Sequence, residues 1–326
     1  MAQTVGHDRG DKRRRVSSTL WMLASLTAAG WIVWSSRDDI ALLADASPWL
    51  IASMTALHVV TIMTQSERFR LVLEQHAVTN IGIGSWTRVY VRGRLYSTLV
   101  PQSGNVYRGL ALKQDHDTPV VRYVSSLATQ TWLAVLAGLL FAALIVLLTL
   151  LGEHEETTTR VVQGLLFAAF VVGVAPLVFT RLSGYLPGRV RRTRIARLAG
   201  EALDIAGSTA RSPKVLAIFL ALVLVGLVTS GIGMTVAFAV AGEEIAMTTG
   251  IAVIALVNLG NIASITPGNL GIQELGLAAL AVLFEYPPAS GVLASVVVRL
   301  SNIVALAAIL VTFEIVGLVT RRSLIH

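Results

Sequence analysis

Long apolar runs alternate with short polar loops along most of the chain. A helix needs about 20 predominantly apolar residues to cross the hydrocarbon core of a bilayer. Seven runs are close to this length or longer, and they cover 17–36, 48–66, 123–151, 161–181, 214–241, 248–266 and 289–319. A shorter run over 270–285 is an eighth candidate. The pattern predicts an all-α, polytopic helical membrane protein with about eight transmembrane segments.

The predicted organisation is a single helical membrane domain over 17–320, with a basic tail over 1–16 before it and a short tail over 321–326 after it. Basic residues stand directly before the first apolar run, as they do in a secretory signal peptide. That run is long enough to span, and no small-residue cleavage site follows it. We therefore interpret it as an uncleaved first helix.

The composition agrees with a membrane protein and argues against other classes. Of the 326 residues, 54% are hydrophobic and only 14% are charged, whereas about 25% are charged in soluble domains. The chain has no Cys, which excludes disulfides and thiolate metal sites. Its His residues show no metal-ligand spacing, and neither a P-loop nor a Gly-x-Ser-x-Gly motif occurs. We expect no cofactor, no metal and no catalysed reaction.

The distribution of charged residues between the apolar runs indicates how the chain is oriented in the membrane. The net charge of +7 would suggest nucleic acid on a soluble domain, but here the basic residues fall between apolar runs and act as topology signals. The basic regions are the N-terminal tail, 68–122, 189–197 and 321–322, and the acidic ones are 38–39, 153–156 and 243–244. This alternation predicts a multi-pass protein of an inner or plasma membrane with both termini cytoplasmic. It requires 270–285 to cross, and a re-entrant loop is the alternative.

The stretch 186–206 has another pattern. Apolar residues recur at i, i+3 and i+4 spacing from Ile195 to Ala206, while basic residues such as Arg191 and Arg197 occupy other positions. This arrangement is typical of an amphipathic helix on a membrane surface. We interpret it as a cytoplasmic interfacial connector, with lipid sensing as the alternative.

Two apolar segments, 81–112 and 264–285, are interrupted by Pro and Gly, and they resemble each other. In the first, a charged residue, Arg108, stands seven positions after Pro101. In the second, Glu274 stands seven positions after Pro267. A broken helix leaves backbone groups unpaired at membrane depth unless they line a cavity or face protein. Paired interruptions in the two halves of a chain indicate an inverted repeat with a substrate site; the alternative is that they only kink two packed helices.

The run Pro-Gly-Asn-Leu-Gly-Ile-Gln-Glu, followed about 25 residues later by Arg299, resembles the C-terminal signature of the lysylphosphatidylglycerol synthase transmembrane-region family. The run Leu-Val-Pro-Gln-Ser-Gly-Asn-Val-Tyr-Arg is similar to that family's first motif. The matching stretches cover about 85–135 and 250–315. The resemblance implies an all-helical membrane domain that moves or handles lipids. No aminoacyl-transferase domain follows the second motif, so we do not expect aminoacyl-lipid synthesis.

The candidate site is expected to bind a lipid headgroup that is anionic or carries phosphate. Its residues are Pro101, Gly104, Arg108, Pro267, Gly268, Gly271, Glu274 and Arg299. The Arg108 guanidinium suits a phosphate through charge-assisted hydrogen bonds, and a membrane-surface anchor is its other reading. Glu274 and Arg299 are ionisable residues in apolar surroundings, where they pair with each other or with substrate.

These residues favour a flippase-like transporter for a phospholipid, a glycolipid or a polyprenyl-phosphate lipid. One alternative is a membrane-embedded sugar transferase or its accessory subunit, which uses a polyprenyl-phosphate donor with Glu274 as general base. Another is a non-catalytic scaffold for envelope assembly. The partners expected from the sequence are membrane lipids and not nucleic acid, and the pattern gives no oligomeric state.

Overall fold

The structure is a computed structural model that describes residues 47–76, 81–100, 102–149, 156–185, 194–260 and 272–323. Within these ranges the chain is helical and contains no strand, which confirms the all-α, polytopic prediction. The helices are α1 (Pro48–His76), α2 (Ile83–Leu99), α3 (Ser103–His116), α4 (Val120–Thr149), α5 (Glu156–Tyr185), α6 (Arg194–Arg211), α7 (Pro213–Val240), α8 (Met247–Gly260), α9 (Ile272–Leu283) and α10 (Pro288–Ser323). The predicted N-terminal tail and first span lie outside the described residues, and so does 324–326.

Three described helices are both long and apolar enough to cross a membrane. They contain Val120–Leu148, Pro213–Val240 and Pro288–Phe313, in α4, α7 and α10. The predicted span 48–66 is the first part of α1, whose Thr, Ser, His and Gln residues lower its hydropathy. The predicted span 161–181 lies in α5, where the apolar stretch is Thr159–Val174. The total of about eight spans stays a prediction.

Helices α1 and α7 form the antiparallel centre of the bundle. The Thr61 hydroxyl lies 3.0 Å from the hydroxyl of Thr229, and Thr64 packs against Gly226 one turn away. Near one end of this pair, Met54 packs with Met234 and Ala237, and near the other Val72 packs with Phe219. We call the end at which α1 finishes and α7 begins the basic end, because it carries Lys113 and Lys214. The opposite end, which carries Glu243 and Glu244, is the acidic end.

The first interrupted segment forms a helical hairpin that opens at the basic end. Helix α2 stops at Leu99, Val100 is extended, and Gln102 adopts φ 61°, so the chain turns back at once into α3. The rings of Tyr96 and Tyr107 lie 4.9 Å apart across the hairpin. At about 1.5 Å per residue, each arm is shorter than a hydrocarbon core of about 30 Å. The predicted break in 81–112 is confirmed.

The second interrupted segment also contributes to a hairpin, and this one opens at the acidic end. The turn after α9 is held to the loop before α8, because the Tyr286 hydroxyl donates to the Glu244 carbonyl at 3.3 Å and the Ser290 hydroxyl donates to Glu243 at 3.0 Å. Helix α8 therefore begins at the end where α9 finishes. The residues between the two arms, 261–271, lie outside the described ranges.

This arrangement bears on the predicted crossings. The described parts of the two arms, 14 residues in α8 and 12 in α9, begin and finish at the acidic end. The two arms together therefore return the chain to the end from which it departed, and α10 leads on to the basic end. The runs 248–266 and 270–285 extend beyond the described residues, and their crossing of the membrane stays a prediction.

The two hairpins belong to an inverted repeat. One unit is α1, the hairpin α2–α3 and α4, and the other is α7, the hairpin α8–α9 and α10. Contacts recur at a constant offset of 165 residues: Ser66 meets Trp86 in the first unit, and Gly231 meets Ile251 in the second. In both units the first hairpin arm also packs against the last helix of the other unit, α2 against α10 and α8 against α4.

Helix α6 corresponds to the predicted amphipathic helix, but it begins at Arg194 and extends to Arg211, beyond the predicted end at 206. Residues 186–193 are outside the described ranges. Its apolar face is buried on the bundle through Ile205 and Ala206. The Ser125 hydroxyl of α4 donates to Glu201, and Thr129 donates to the Ala202 carbonyl at 2.8 Å. The helix is thus docked on α4, as a connector would be.

Candidate functional site

The crossing of α2 and α3 depends on two glycines. A Cβ on Gly104 would overlap the carbonyl oxygen of Gly93, and the Gly104 N–H donates to the Ser97 hydroxyl at 3.2 Å. A Cβ on Gly93 would lie 2.9 Å from Cγ of Arg108. The close backbone approach places the aliphatic part of Arg108 directly against α2.

Arg108 is buried inside this hairpin, with 6% of its surface exposed. Its Nε donates to the Gly104 carbonyl at 3.2 Å, and Nη2 donates to the Asn105 side-chain oxygen. Its guanidinium carbon stands 4.8 Å from the ring centre of Tyr90 and 5.8 Å from that of Phe69. The charge is therefore surrounded by two aromatic faces and neutral oxygens, a geometry typical of cation–π contacts.

Arg108 forms no ion pair with an acidic residue of the described ranges, where its hydrogen-bond acceptors are the Gly104 carbonyl and the Asn105 side chain. Asn105, an amide, accepts a hydrogen bond but leaves the charge in place. Removing one partner of a buried ion pair destabilises a protein by about 3–5 kcal/mol, because the remaining buried charge is left uncompensated. The arrangement can be completed by an anion, and a phosphate matches the planar guanidinium through two parallel hydrogen bonds.

The second pair of candidate residues lies in the other unit. Arg299 Nη2 is 2.6 Å from Glu274 Oε1, and their side chains are 19% and 12% exposed. Gly291 lets α10 approach the backbone of α9 at Leu277. Glu274 stands in the first turn of α9, where a carboxylate is favoured by the helix dipole. The pair joins the inner end of the hairpin arm to α10.

The structure gives Arg108 and Glu274 separate surroundings. Helix α3 packs mainly against α2 and α4, whereas α9 packs against α8 and α10. The two regions are connected through α10, because Ala305 and Leu306 belong to the apolar cluster around Phe69 and Tyr90. Arg299 stands six residues before Ala305, which is about 9 Å along the helix. A single site that includes both charges stays a prediction.

Of the other predicted site residues, Gly104 lies at the hairpin crossing, beside Arg108. Four lie outside the described residues, namely Pro101, Pro267, Gly268 and Gly271.

Sequence reasoning missed the aromatic partners of Arg108. No local spacing signals these partners, because Tyr90 stands on the other arm of the hairpin and Phe69 on α1.

A family model described as the lysylphosphatidylglycerol synthase TM region matches residues 21–309. The match covers most of the chain, including both interrupted segments, and it confirms the resemblance inferred from the two motifs. No curated protein and no solved structure matches the chain.

Proposed function

Because the chain belongs to the lysylphosphatidylglycerol synthase transmembrane-region family, we propose that it is a flippase-like transporter that moves a phosphate-bearing lipid across an inner or plasma membrane. The substrate class covers phospholipids, glycolipids and polyprenyl-phosphate lipids. The basic end faces the cytoplasm in this proposal, in agreement with the positive-inside rule.

The inverted repeat supports transport. Two hairpins that open at opposite ends of one bundle are suited to alternating access, in which a central site is reached first from one side and then from the other. Each hairpin packs against a long helix of the other unit. A movement of one unit therefore acts on both hairpins.

The single observation that carries the proposal is the burial of Arg108 without an acidic partner among the described residues. A lipid phosphate supplies the missing negative charge while its acyl chains stay in the hydrocarbon. The sequence contains no P-loop, so the transport would run downhill or be coupled to an ion gradient.

The test is reconstitution of the full chain into liposomes that contain fluorescent phospholipids in both leaflets. A membrane-impermeant reductant then bleaches the lipids that reach the outer leaflet. We expect the wild type to increase the bleached fraction, Arg108→Ala to abolish the increase, and Arg108→Lys to restore it only partly, because an ammonium keeps the charge but loses the planar fork.

Arg88→Ala is the matched control. Arg88 also lies on the first hairpin and beside an aromatic ring, Phe313, at 5.9 Å. We expect it to keep transport. Wild-type protein that folds and moves none of the three lipid classes would contradict the proposal. A new glycolipid formed from a polyprenyl-phosphate sugar would support the transferase alternative, and neither movement nor product would support the scaffold.

A further inference from the structure

A second buried arginine lies next to the Arg108 site. Arg68 stands on α1 one position before Phe69, and only 8% of its surface is exposed. Its Nε has no hydrogen-bond partner. By sequence, Arg68 is only the first residue of the basic region 68–122. The structure instead places it well inside the helix, two turns before the end of α1 at His76.

Tyr90 connects Arg108 to the face of α1 that carries Arg68. The guanidinium of Arg108 stacks on the Tyr90 ring, and the Tyr90 hydroxyl donates to Gln65 at 3.3 Å. Gln65 lies three residues before Arg68, so both side chains occupy one face of α1. Arg108 therefore covers the ring of the tyrosine whose hydroxyl contacts the Arg68 face of α1.

The acidic residues nearest in sequence do not neutralise Arg68. Glu67 accepts from Arg70 through both carboxylate oxygens, at 2.6 and 2.8 Å, and Glu74 also pairs with Arg70. These three residues lie on another face of α1 and satisfy one another. Within the described ranges, Arg68 and Arg108 have no carboxylate partner.

Hydroxyl donors lie in the adjoining part of α4. Tyr123 has its ring 5.8 Å from that of Phe69, and its buried hydroxyl lies beside Arg108. The Ser126 hydroxyl, one turn later, is buried and makes no hydrogen bond within the described residues. Buried hydroxyls without partners are costly, and they become satisfied when a ligand supplies oxygen acceptors.

We infer that Arg68 and Arg108 together bind the phosphate of a lipid phosphomonoester, in preference to a phosphodiester. This inference rests on the proposed function and specifies its substrate. A phosphomonoester carries about −1.5 to −2 charges at pH 7, with a second pKa near 6. A phosphodiester carries a single negative charge, which one guanidinium can balance. The second guanidinium matches the second charge.

The experiment compares phosphatidic acid with phosphatidylglycerol of identical acyl chains, since these differ only in the phosphate ester. Purified full-length protein in neutral detergent is mixed with equal amounts of both lipids, and the lipid retained after gel filtration is quantified by mass spectrometry. We expect the wild type to retain about tenfold more phosphatidic acid, as one additional charged hydrogen bond would give. Arg68→Gln should bring the ratio close to one without loss of phosphatidylglycerol, whereas Arg88→Gln should leave the ratio unchanged.

The wild type offers a test that needs no variant. Its preference for phosphatidic acid should rise between pH 5 and pH 8, as the monoester acquires its second charge. A large excess of inorganic phosphate should not displace the lipid, and displacement would assign the site to free phosphate. An unchanged ratio in folded Arg68→Gln, or a preference that is flat with pH, overturns the inference while leaving the proposed function intact. Failure of the wild type to retain or move either lipid would count against both.

Discussion

Gly93 and Gly104 face each other across the first hairpin so closely that neither position has room for a side chain. A methyl group on Gly104 would overlap the Gly93 carbonyl oxygen, and one on Gly93 would meet the Arg108 side chain at 2.9 Å. The break in the chain, the approach of α2 to α3 and the position of the buried guanidinium therefore depend on one contact.

The first prediction is that Gly104→Ala destabilises the protein and lowers lipid transport. The obstacle is backbone rather than the tip of a flexible side chain, so the hairpin must open to admit the methyl group. Overpacking of this kind costs about 1–3 kcal/mol. Thermal unfolding in detergent and the liposome assay measure the two effects.

Gly138→Ala is the control for that experiment. Gly138 lies in the middle of α4, and a Cβ there would meet nothing within 4 Å. Since Ala favours a helix by about 1 kcal/mol over Gly, this variant should be at least as stable as the wild type. Equal behaviour of the two variants would show that the hairpin crossing is not under steric constraint.

The second prediction concerns Glu274 and Arg299. Glu274→Gln and Arg299→Gln should each reduce stability by about 2–4 kcal/mol, somewhat less than for a fully buried pair because both side chains remain partly exposed. The double variant should regain much of this loss, because no charge is left unpaired. If the residues also bind the headgroup, transport should stay low in the double variant. Recovery of transport together with stability would assign the pair a purely structural role.

The third prediction separates the ring of Tyr90 from its hydroxyl. Tyr90→Leu removes the aromatic face under Arg108 and should lower lipid affinity by about 2- to 30-fold, the range of cation–π energies. Tyr90→Phe removes only the hydrogen bond to Gln65 and should bind nearly as well as the wild type. Gel-filtration retention of phosphatidic acid measures both. A larger loss in Tyr90→Phe than in Tyr90→Leu would contradict the stacking role.

The fourth prediction concerns orientation, and the absence of native Cys makes it direct to test. Single variants Lys113→Cys and Lys214→Cys should react with a membrane-impermeant maleimide from the cytoplasmic side only. Glu244→Cys and Glu285→Cys should react from the opposite side only, since both stand at the acidic end. Labelling of Glu244→Cys and Glu285→Cys from different sides of the membrane would contradict the second hairpin. If all four variants reacted from the side opposite to the one expected, the protein would have the inverse of the proposed orientation.

The fold class and the first hairpin could be predicted from sequence because apolar run length and the Pro and Gly residues are local signals. The return of the second hairpin to the acidic end could not be predicted, because it depends on the contacts of Tyr286 and Ser290 with the loop before α8. The repeat was expected from the two breaks. The offset of 165 residues between the two units could not be predicted. Equivalent positions such as Ser66 and Gly231 make equivalent contacts in their own units but are different residue types.

The candidate residues were selected one at a time, and their role in a binding site stays a prediction. Arg108 was selected by its place after a Pro–Gly break, and Glu274 and Arg299 by their charge in apolar sequence. Arg68 was missed because it follows a span directly and is adjacent to Glu67, so it looked like part of a solvated loop. Only tertiary packing shows that Glu67 is committed to Arg70 and that Arg68 points elsewhere.

Helix α5 acquires a topological role from the repeat. The first unit begins and ends at the acidic end, so a second unit that followed it directly would have the same orientation as the first. One additional traverse delivers the chain to the basic end, where α7 begins, and α5 is the described helix that makes it. Accordingly α5 packs on α4 through Val162 and Leu165, while Phe167 and Phe170 face outward. A helix whose role is to carry the chain back across the bundle needs sufficient length and a lipid-facing surface more than particular side chains. Substitutions of one apolar residue for another should therefore be tolerated far better in α5 than in either hairpin.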